Sequence, residues 1–441
     1  MRIPCSVRFL LLFFLASSPL LCQAGKTASG AKTAEAEALQ RVEKVMEDVA
    51  LLRGRPFLHD VRKGVVTPKE LRAFLLKELK REMSGPRLEA TQAAYTALGL
   101  IPPGTDLRKE MVKLLSEQVA GFYDPRSKTF NLVKGKVGGA VLDILMAHEL
   151  THALDDQYYD LETRGDAAKS SSDREFAFGS VTEGSAVTLQ MRFTFMAQAR
   201  GGLDLKALAA QARMEREQGK LIEAAPPALA GDLLARYTMG MYFLSKGNLV
   251  RAKDGCGKTL EKAIFDPPLS SEQILHPRKY WNEKERDDPV EISFPGAGEF
   301  LGGEWRCLWM DTLGELQCAL LSRPKDFRLK IRGTSMIQPL FWTTRAASGW
   351  GGDRWACYTD GKGRTCLVWV AAWDTGKDAE EFLQAFLETR RDLLSAFLFR
   401  GKVTAFLLGL GKKEARGVLA NLLGKLRFRK RGAWDPGFRE R

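Results

Sequence analysis

Apolar residues recur at helical spacing through most of the first 245 positions of the chain. In one stretch, a helix start at Thr67-Pro68 is followed by this spacing to Glu82, and Gly85-Pro86 then interrupts it. The same reasoning predicts helices within 34–115, at 141–159, at 175–200 and within 204–245, with a polar loop at 161–174. We therefore expect the first part of the chain to be mostly helical.

Two short apolar runs surround a turn at 121–133 and predict a β-hairpin before the helix at 141–159. The pattern changes after residue 280, because all nine tryptophans lie beyond it, eight of them from Trp281 to Trp373. Alternating apolar segments in this region predict a β-containing domain from about 285, closed by a helix at 377–398. The tryptophans are expected in its core, and a carbohydrate- or peptide-binding platform is the alternative.

The composition is that of an ordinary globular protein, with 45% hydrophobic and 27% charged residues among 441. This excludes collagen-like, low-complexity and wholly disordered chains, and the length allows a sizeable core. The expected organisation is a helical domain at 35–284, a Trp-rich α+β domain at 285–399 and a basic tail at 400–441.

The N-terminus has the pattern of a cleavable signal peptide. Two arginines precede an apolar run at 9–16, and small residues favour cleavage after Ala24. The run is shorter than the roughly 20 residues needed to span a bilayer. We expect residues 1–24 to be removed, residues 25–34 to form a flexible lead-in, and the chain to be exported to the periplasm or cell exterior. A lipid anchor on Cys22 is the alternative.

The charge is unevenly distributed along the chain. The net charge is +13, and residues 400–441 hold twelve Lys or Arg against three Asp or Glu. Such a tail could bind an anionic membrane surface or an acidic partner, whereas a signal peptide argues against nucleic acid. A solvated tail behind a helix is the simpler interpretation.

Five cysteines follow the predicted signal peptide, and an oxidising compartment permits disulfides. Cys357 and Cys366 flank a turn between two apolar segments, so that they could form a disulfide across a hairpin. Connectivity cannot be deduced from spacing alone.

The strongest chemical signal is HELTH at 148–152. His148 and His152 are four residues apart on a predicted helix, so that both imidazoles project from one face and can hold one zinc ion. Glu149 lies between them, where its carboxylate can take a proton from water beside the metal. Two structural histidines are the alternative interpretation.

HELTH followed by Ala153 resembles the active-site helix of zinc metallopeptidases and has the letters of the thermolysin-like enzymes. The resemblance covers one helix, and these families differ in the third metal ligand. The metzincin pattern is rejected, because Asp155 and Tyr158 stand where it requires Gly and His. The gluzincin pattern takes a Glu from a second helix, and Glu183 resembles that ligand. Val187 stands where thermolysin-like enzymes have an Asp four residues after this Glu.

Other interpretations of the third ligand remain open. Ser180 and Glu183 also fit a capping box, in which the carboxylate would bond to the backbone instead of a metal. Asp156 and Glu175 are competing carboxylates, and Asp156 could instead orient a histidine. Small residues at 184–186 would allow the two ligand-bearing helices to approach closely.

Residues 271–280 contain two candidate catalytic groups, His276 and Tyr280. Peptide hydrolysis at zinc develops negative charge on the carbonyl oxygen, and a His or Tyr donor aimed there lowers the barrier. A loop histidine next to Pro277 is the alternative. His59 lies outside any motif and is expected to be structural.

The chain also resembles, along much of its length, an uncharacterised group of secreted bacterial proteins. That group pairs a GFYDP hairpin and a helix like HELTHALDDQ with an EG-x-A helix and an EQ-x-LHP-x-KY segment. The resemblance implies that these segments belong to one site, but it supplies no substrate.

The expected fold class is therefore α+β, with a mostly helical zincin-like catalytic domain that contains a short sheet, followed by a smaller Trp-rich α+β domain. The expected function is hydrolysis of a peptide or protein substrate, with zinc (Zn2+) held by His148, His152 and Glu183 and with Glu149 as general base. Two alternatives remain: an inactive zincin-like binding protein with a structural metal, or a membrane-surface protein that uses residues 400–441.

Overall fold

A computed structural model describes residues 29–83, 85–134, 139–201, 219–249, 257–331 and 336–430. The predicted signal peptide, including Cys22, lies outside these residues. Within the described ranges, no helix has the length and apolar character needed to cross a membrane. The fold is α+β, as predicted, with helices concentrated in the first part and small sheets in both parts.

The α-helices are α1 (Ser29–Arg53), α2 (Pro68–Glu82), α3 (Gly85–Ala97), α4 (Leu107–Gln118), α5 (Gly139–Tyr159), α6 (Leu161–Ala167), α7 (Ser172–Ala199), α8 (Pro227–Lys246), α9 (Gly257–Phe265), α10 (Ser271–Leu275), α11 (Arg278–Trp281), α12 (Gly314–Leu321), α13 (Pro339–Trp342), α14 (Gly376–Arg390) and α15 (Lys412–Leu423). The strands are β1 (Arg62–Val66), β2 (Gly121–Asp124), β3 (Thr129–Val133), β4 (Glu291–Ser293), β5 (Arg306–Asp311), β6 (Trp350–Thr359), β7 (Thr365–Trp373), β8 (Ala396–Arg400), β9 (Val403–Leu408) and β10 (Arg427–Arg429).

Local sequence signals explain helix α2. Thr67 accepts a hydrogen bond from the amide of Glu70, and the Glu70 carboxylate accepts one from the amide of Thr67, which forms a capping box. Pro68 occupies the first turn, where its missing N–H costs nothing. Apolar residues at four-residue spacing then bury one face: Leu71, Leu75 and Leu79. The predicted helix is confirmed.

Four parts of the chain differ from the predictions. Strand β1 lies inside the stretch 34–115 that the sequence predicts to be helical. The described part of the lead-in at 25–34 is helical, because α1 begins at Ser29. The predicted loop at 161–174 contains α6, which Asp160 caps, and the start of α7. The predicted helix at 377–398 ends at Arg390, since residues from Ala396 pair with β9 as strand β8.

The predicted hairpin at 121–133 forms the edge of a three-stranded sheet with the order β1-β3-β2. Strand β2 pairs antiparallel with β3, with Tyr123 opposite Phe130, and β1 pairs with β3 in parallel. Helix α5 follows directly and packs against β2. This connection places the HELTH helix beside a sheet edge.

The Trp-rich region forms a five-stranded antiparallel sheet with the order β5-β6-β7-β9-β8. One face packs on α14 and the helical part, and it carries Trp355 and Trp369. The other face packs on α15 and carries Val368 and Val370. Four tryptophans are at most 1% exposed, which excludes a binding platform formed by them: Trp350, Trp355, Trp369 and Trp373.

The hydrophobic core crosses the predicted domain boundary near 285. One buried cluster contains both residues of the helical part, such as Leu98, and sheet residues, such as Trp369. The Arg390 guanidinium donates from Nε to the carbonyl of Leu98 at 3.2 Å, and Gln317 donates to the carbonyl of Ala228 at 3.1 Å. The helical part and the Trp-rich part therefore share buried contacts. Their division into two domains stays a prediction.

The folded part of the chain continues beyond the predicted boundary at 399. Strand β9 pairs with β7 inside the sheet, α15 covers one sheet face, and β10 pairs with β4. The described part of the predicted basic tail is therefore structured, because its apolar residues complete the sheet and its cover. Arg427 and Arg429 are exposed, and binding to an anionic surface stays a prediction.

The disulfide that the spacing of Cys357 and Cys366 allowed does not form. Both thiols are free, and the hairpin register pairs Cys366 with Tyr358 and Cys357 with Leu367. Successive residues of a strand face opposite sides of a sheet, so the two thiols point to different faces. Burial raises the pKa of each thiol to about 12. Cys307 and Cys318 are also free, and Cys256 lies outside the described residues.

Candidate metal centre

Helix α5 brings the two HELTH histidines together in the interior. His148 and His152 are one turn apart, and both are 0% exposed. Burial lowers the pKa of His148 to about 3, and burial with the neighbouring His148 lowers the pKa of His152 well below its usual value. Both imidazoles are therefore neutral near pH 7, which is the form that binds a metal ion.

Helix α7 carries Glu183 to the same place. The helix begins with Ser171 as its N-cap, so that Ser180 lies within it and donates its hydroxyl to the carbonyl of Phe176. A capping box formed by Ser180 and Glu183 is therefore excluded. Glu183 is 0% exposed and faces the two histidine rings.

Three potential ligand atoms form a nearly equilateral triangle. The Nε2 atoms of His148 and His152 are 3.1 Å apart, and Oε2 of Glu183 is 3.2 Å from the first and 3.4 Å from the second. Zinc–ligand bonds of about 2.0 to 2.1 Å in a tetrahedron require ligand atoms about 3.3 to 3.4 Å apart. The triangle fits three corners of such a site.

Hydrogen bonds alone do not account for this triangle well. A neutral imidazole carries one ring proton, and an ionised carboxylate only accepts. If both Nε2 atoms carried their protons, the two N–H groups would face each other at 3.1 Å. If fewer protons were present, lone pairs would face one another inside a buried site, which is unfavourable. A cation at the centre would satisfy all three atoms at once.

Glu149 lies beside the triangle with its two oxygens in different environments. Oε2 accepts a hydrogen bond of 2.9 Å from the backbone amide of Tyr123 in β2, whereas Oε1 has no hydrogen-bond partner among the described residues. Burial and the nearby Glu183 carboxylate raise the pKa of Glu149 well above its usual value, and the Tyr123 amide opposes this. The Glu149 carboxylate is therefore more basic than an exposed one and accepts a proton more readily.

Neither competing carboxylate joins the triangle. Asp156 accepts from the Tyr123 hydroxyl at 2.7 Å and forms an ion pair of 2.7 Å with Lys128 through the same oxygen. Its second oxygen accepts from the amide of Leu161, so that Asp156 holds the hairpin against α5. Glu175 lies eight residues before Glu183 in α7, about 12 Å along the helix.

Of the small residues after Glu183, Gly184 has a different partner from the predicted one, whereas Ser185 contacts α5 as predicted. Gly184 packs against Gly240 of α8 rather than against α5, because an added Cβ would lie 2.5 Å from the Gly240 carbonyl oxygen. Ser185 instead faces α5, where its hydroxyl donates to Asp155 at 2.8 Å. Arg53 from α1 donates to both groups. Helix α1 therefore connects α5 and α7 through this side chain.

Tyr237 of α8 is a site residue that the sequence did not reveal. Its ring stacks on the His148 ring with 6.0 Å between centroids, and its hydroxyl hydrogen-bonds to Glu183. The side chain is 4% exposed. No motif surrounds Tyr237, and Gly240 one turn later is the one local sign of a close helix contact.

His276 and Tyr280 make other contacts. The Nε2 of His276 lies 2.9 Å from Glu315, whose charge and hydrogen bond outweigh burial and raise the pKa of the imidazole. The Tyr280 hydroxyl donates to the carbonyl of Asp266 at 2.6 Å. Helix α10, which precedes His276, docks on Asp173 at the start of α7. That contact is about 15 Å along α7 from Glu183, so the predicted catalytic roles find no support in these contacts.

Lys279, in the same segment, is surrounded by a second group of carboxylates. Glu272, Asp287 and Asp374 offer oxygens close to one another, which resembles a metal site. The Lys279 ammonium lies 2.7, 3.0 and 2.7 Å from them, so that its three donors each reach a carboxylate. The segment therefore joins the helical part to the Trp-rich sheet. His59 is exposed, and its backbone bonds to Gln157.

Comparison with known proteins covers the Trp-rich region but not the metal centre. Residues 309–402 match a family described as a domain of unknown function (DUF8575). This match extends from the end of β5 to the residues just before β9. No curated protein and no solved structure matches the chain.

Proposed function

We propose that the protein is an exported zinc metallopeptidase that hydrolyses peptide bonds in extended or unfolded polypeptides. The observation that carries the proposal is the triangle of two imidazole nitrogens and one carboxylate oxygen, with sides of 3.1, 3.2 and 3.4 Å. Two His and one Glu are a ligand set of catalytic zinc sites, which leave a fourth position open. Bound zinc would supply Lewis acidity, which polarises a carbonyl and activates water near pH 7.

Glu149 is the proposed general base. It follows His148 directly, and its Oε1 has no hydrogen-bond partner in the described part of the chain, so that this oxygen can receive a proton from water. The Tyr123 amide holds Oε2 and thereby fixes the orientation of the carboxylate. The same carboxylate would then pass the proton to the leaving amine.

Strand β2 supports a peptide as the substrate. It lies at the edge of its sheet, and the outward amide of Tyr123 points to Glu149. An extended peptide can add to such an edge as a further strand, and this would bring a backbone carbonyl close to the catalytic carboxylate. Phe122 and Tyr123 are buried. Binding of a peptide along β2 would therefore require the residues that cover this strand to move away from it.

The test measures zinc content and hydrolysis separately. We expect the wild type to bind one zinc per chain and to cleave a dye-labelled unfolded protein such as casein. Glu149→Gln should retain zinc and lose about 100- to 10,000-fold in hydrolysis. Glu183→Gln should lose zinc, whereas Glu175→Gln, a buried carboxylate on the same helix, should retain it. Zinc retained in Glu183→Gln would refute the ligand assignment.

A binding protein with a structural metal is the second candidate, and burial favours it. His148, Glu149, His152 and Glu183 are all 0% exposed. A closed site would bind no further ligand, so azide should leave the absorption spectrum of the cobalt-substituted protein unchanged. An open coordination position would instead give an azide-dependent change. Full zinc occupancy with no hydrolysis and no azide effect would favour this second function.

A further inference from the structure

Tyr237 contacts two of the three proposed metal ligands from a helix that carries no ligand. Its hydroxyl hydrogen-bonds to the Glu183 carboxylate, and its ring stacks on His148 with an interplanar angle of 29°. The side chain is 4% exposed, so that water competes little for these contacts. The phenol therefore lies against the ligand set and not at the protein surface.

A glycine contact between α7 and α8 fixes Tyr237 in this position. Gly184 directly follows Glu183, and Gly240 lies three residues after Tyr237, on the same side of α8. A Cβ on Gly240 would lie 2.8 Å from the Ser180 carbonyl carbon and 3.1 Å from the Gly184 Cα. Two backbones this close leave the helices little freedom to slide past each other. The position of the Tyr237 side chain relative to the Glu183 side chain is therefore fixed.

We propose that Tyr237 is a positioning residue for the metal ligand Glu183. A carboxylate at the end of a Glu side chain rotates readily, and only one orientation directs Oε2 at both imidazoles. The phenol hydroxyl holds that orientation by its hydrogen bond, and the ring supports the His148 imidazole. Such supporting contacts around metal ligands are typically worth about 10- to 100-fold in metal affinity. The inference rests on the proposed function in one respect, namely that Glu183 is a ligand.

Zinc affinity of purified full-length protein tests the proposal, with a chromophoric chelator as competitor. Tyr237→Phe removes the hydroxyl and retains the ring, and we expect affinity to fall about 10- to 100-fold. Tyr242→Phe is the matched control, because this tyrosine is on the same helix and its ring contacts Lys246. The control should bind zinc like the wild type. Unchanged zinc affinity in Tyr237→Phe would overturn the proposal.

A second measurement separates positioning from general stability. The visible absorption bands of the cobalt-substituted protein depend on ligand geometry, so Tyr237→Phe should shift them and Tyr242→Phe should not. In a Glu183→Ala background, Tyr237→Phe should have no further effect on the weak residual zinc affinity of the two histidines, titrated at high zinc concentration, because the hydrogen-bond acceptor is gone. A full additional loss in that background would mean that Tyr237 acts through stability, and the proposal would fail.

The two levels of inference fail in different ways. A wild type that binds no zinc would refute the ligand set and the proposed function, and this inference would fall with them. A wild type that binds zinc tightly, together with a Tyr237→Phe variant of equal affinity and spectrum, would refute the role of Tyr237 alone. Because neither readout depends on hydrolysis, the absence of peptidase activity would leave the test intact.

Discussion

Replacing Gly184 by alanine should perturb the proposed metal centre without changing a proposed ligand. The added Cβ would lie 2.5 Å from the carbonyl oxygen of Gly240 and 2.6 Å from the amide nitrogen of Met241. Ordinary contacts are near 3.5 Å, so the helices must separate by about 1 Å. The Gly240 carbonyl carbon would be nearer still, at 2.2 Å, and all three atoms belong to the backbone, so no side-chain rotation relieves the clash.

The magnitude follows from this separation. Overpacking costs about 1 to 3 kcal/mol, against which the higher helix propensity of alanine returns about 1 kcal/mol. We expect a net loss of up to about 2 kcal/mol in the free energy of unfolding, measured by urea denaturation of the metal-free protein. Metal sites tolerate ligand displacements of about 0.2 Å. A movement of about 1 Å at the residue after Glu183 should therefore weaken zinc binding at least 10-fold.

Gly231→Ala is the matched control on helix α8. A Cβ there would lie 3.8 Å from the side chains of Leu329 and Trp342, which is ordinary van der Waals contact. This variant should retain zinc affinity and gain up to about 1 kcal/mol from helix propensity. If Gly184→Ala matched the control in both zinc affinity and stability, the helix contact would not set the ligand geometry.

Three further predictions concern buried carboxylates. Asp353 accepts two backbone amides at the start of α12 and two indole N–H groups, so Asp353→Asn should lower the free energy of unfolding by about 4 kcal/mol in urea denaturation. Burial raises the pKa of Asp173 to about 7 although Ser271 hydrogen-bonds to it, so its stabilising contribution is present below about pH 4 and is lost as pH rises through about 7. The difference in melting temperature between Asp173→Asn and the wild type should accordingly shift in favour of the variant from pH 4 to pH 8, and a constant difference would contradict the assignment. Asp156→Ala should retain one zinc per chain by metal analysis and lose about 1 to 3 kcal/mol of stability, since the Tyr123 hydroxyl loses its acceptor.

The sequence predicts best those features that depend on local spacing. His148 and His152 share a helix face because they are four residues apart, and this holds wherever the helix lies in the fold. The hairpin at 121–133 and the helix from Thr67-Pro68 are equally local, because a turn and a capping box define them. The assignment of Glu183 as a ligand depended on the resemblance to the gluzincin pattern. Local spacing does not reveal it, because only the packing of α7 on α5 brings Glu183 to the histidines.

The features that the sequence predicts poorly depend on contacts between distant segments. Tyr237 is 54 residues from Glu183, and the contact between them follows from a glycine pair that has no motif. Cys357 and Cys366 have suitable spacing for a disulfide, but the strand register turns them to opposite faces. For His276 and Tyr280, the catalytic roles stay predictions, and only the structure reveals the contacts of their side chains with Glu315 and with a backbone carbonyl.

The spacing of α5 and α7 is fixed from two sides, and both restraints lie close to the ligands. On one side, Arg53 bridges Asp155 and Ser185 with hydrogen bonds of 2.8 and 2.7 Å. These partners are three residues after His152 and two after Glu183. A buried ion pair is weak evidence for net stability, because desolvation offsets much of its attraction. Its effect here is geometric, because the guanidinium fixes the distance between α5 and α7 at the level of the proposed metal site.

On the other side, the Gly184–Gly240 contact holds α7 against α8. The two ligand helices therefore cannot separate without breaking a buried charge pair, and α7 cannot shift toward α8 without a backbone clash. These two restraints act on the helices that carry the three potential ligand atoms, whose separations are between 3.1 and 3.4 Å. Restraints of this kind lower the cost of gathering ligands. Substitutions at Arg53 or at the Gly184–Gly240 contact should therefore weaken metal binding by more free energy than they subtract from the free energy of unfolding.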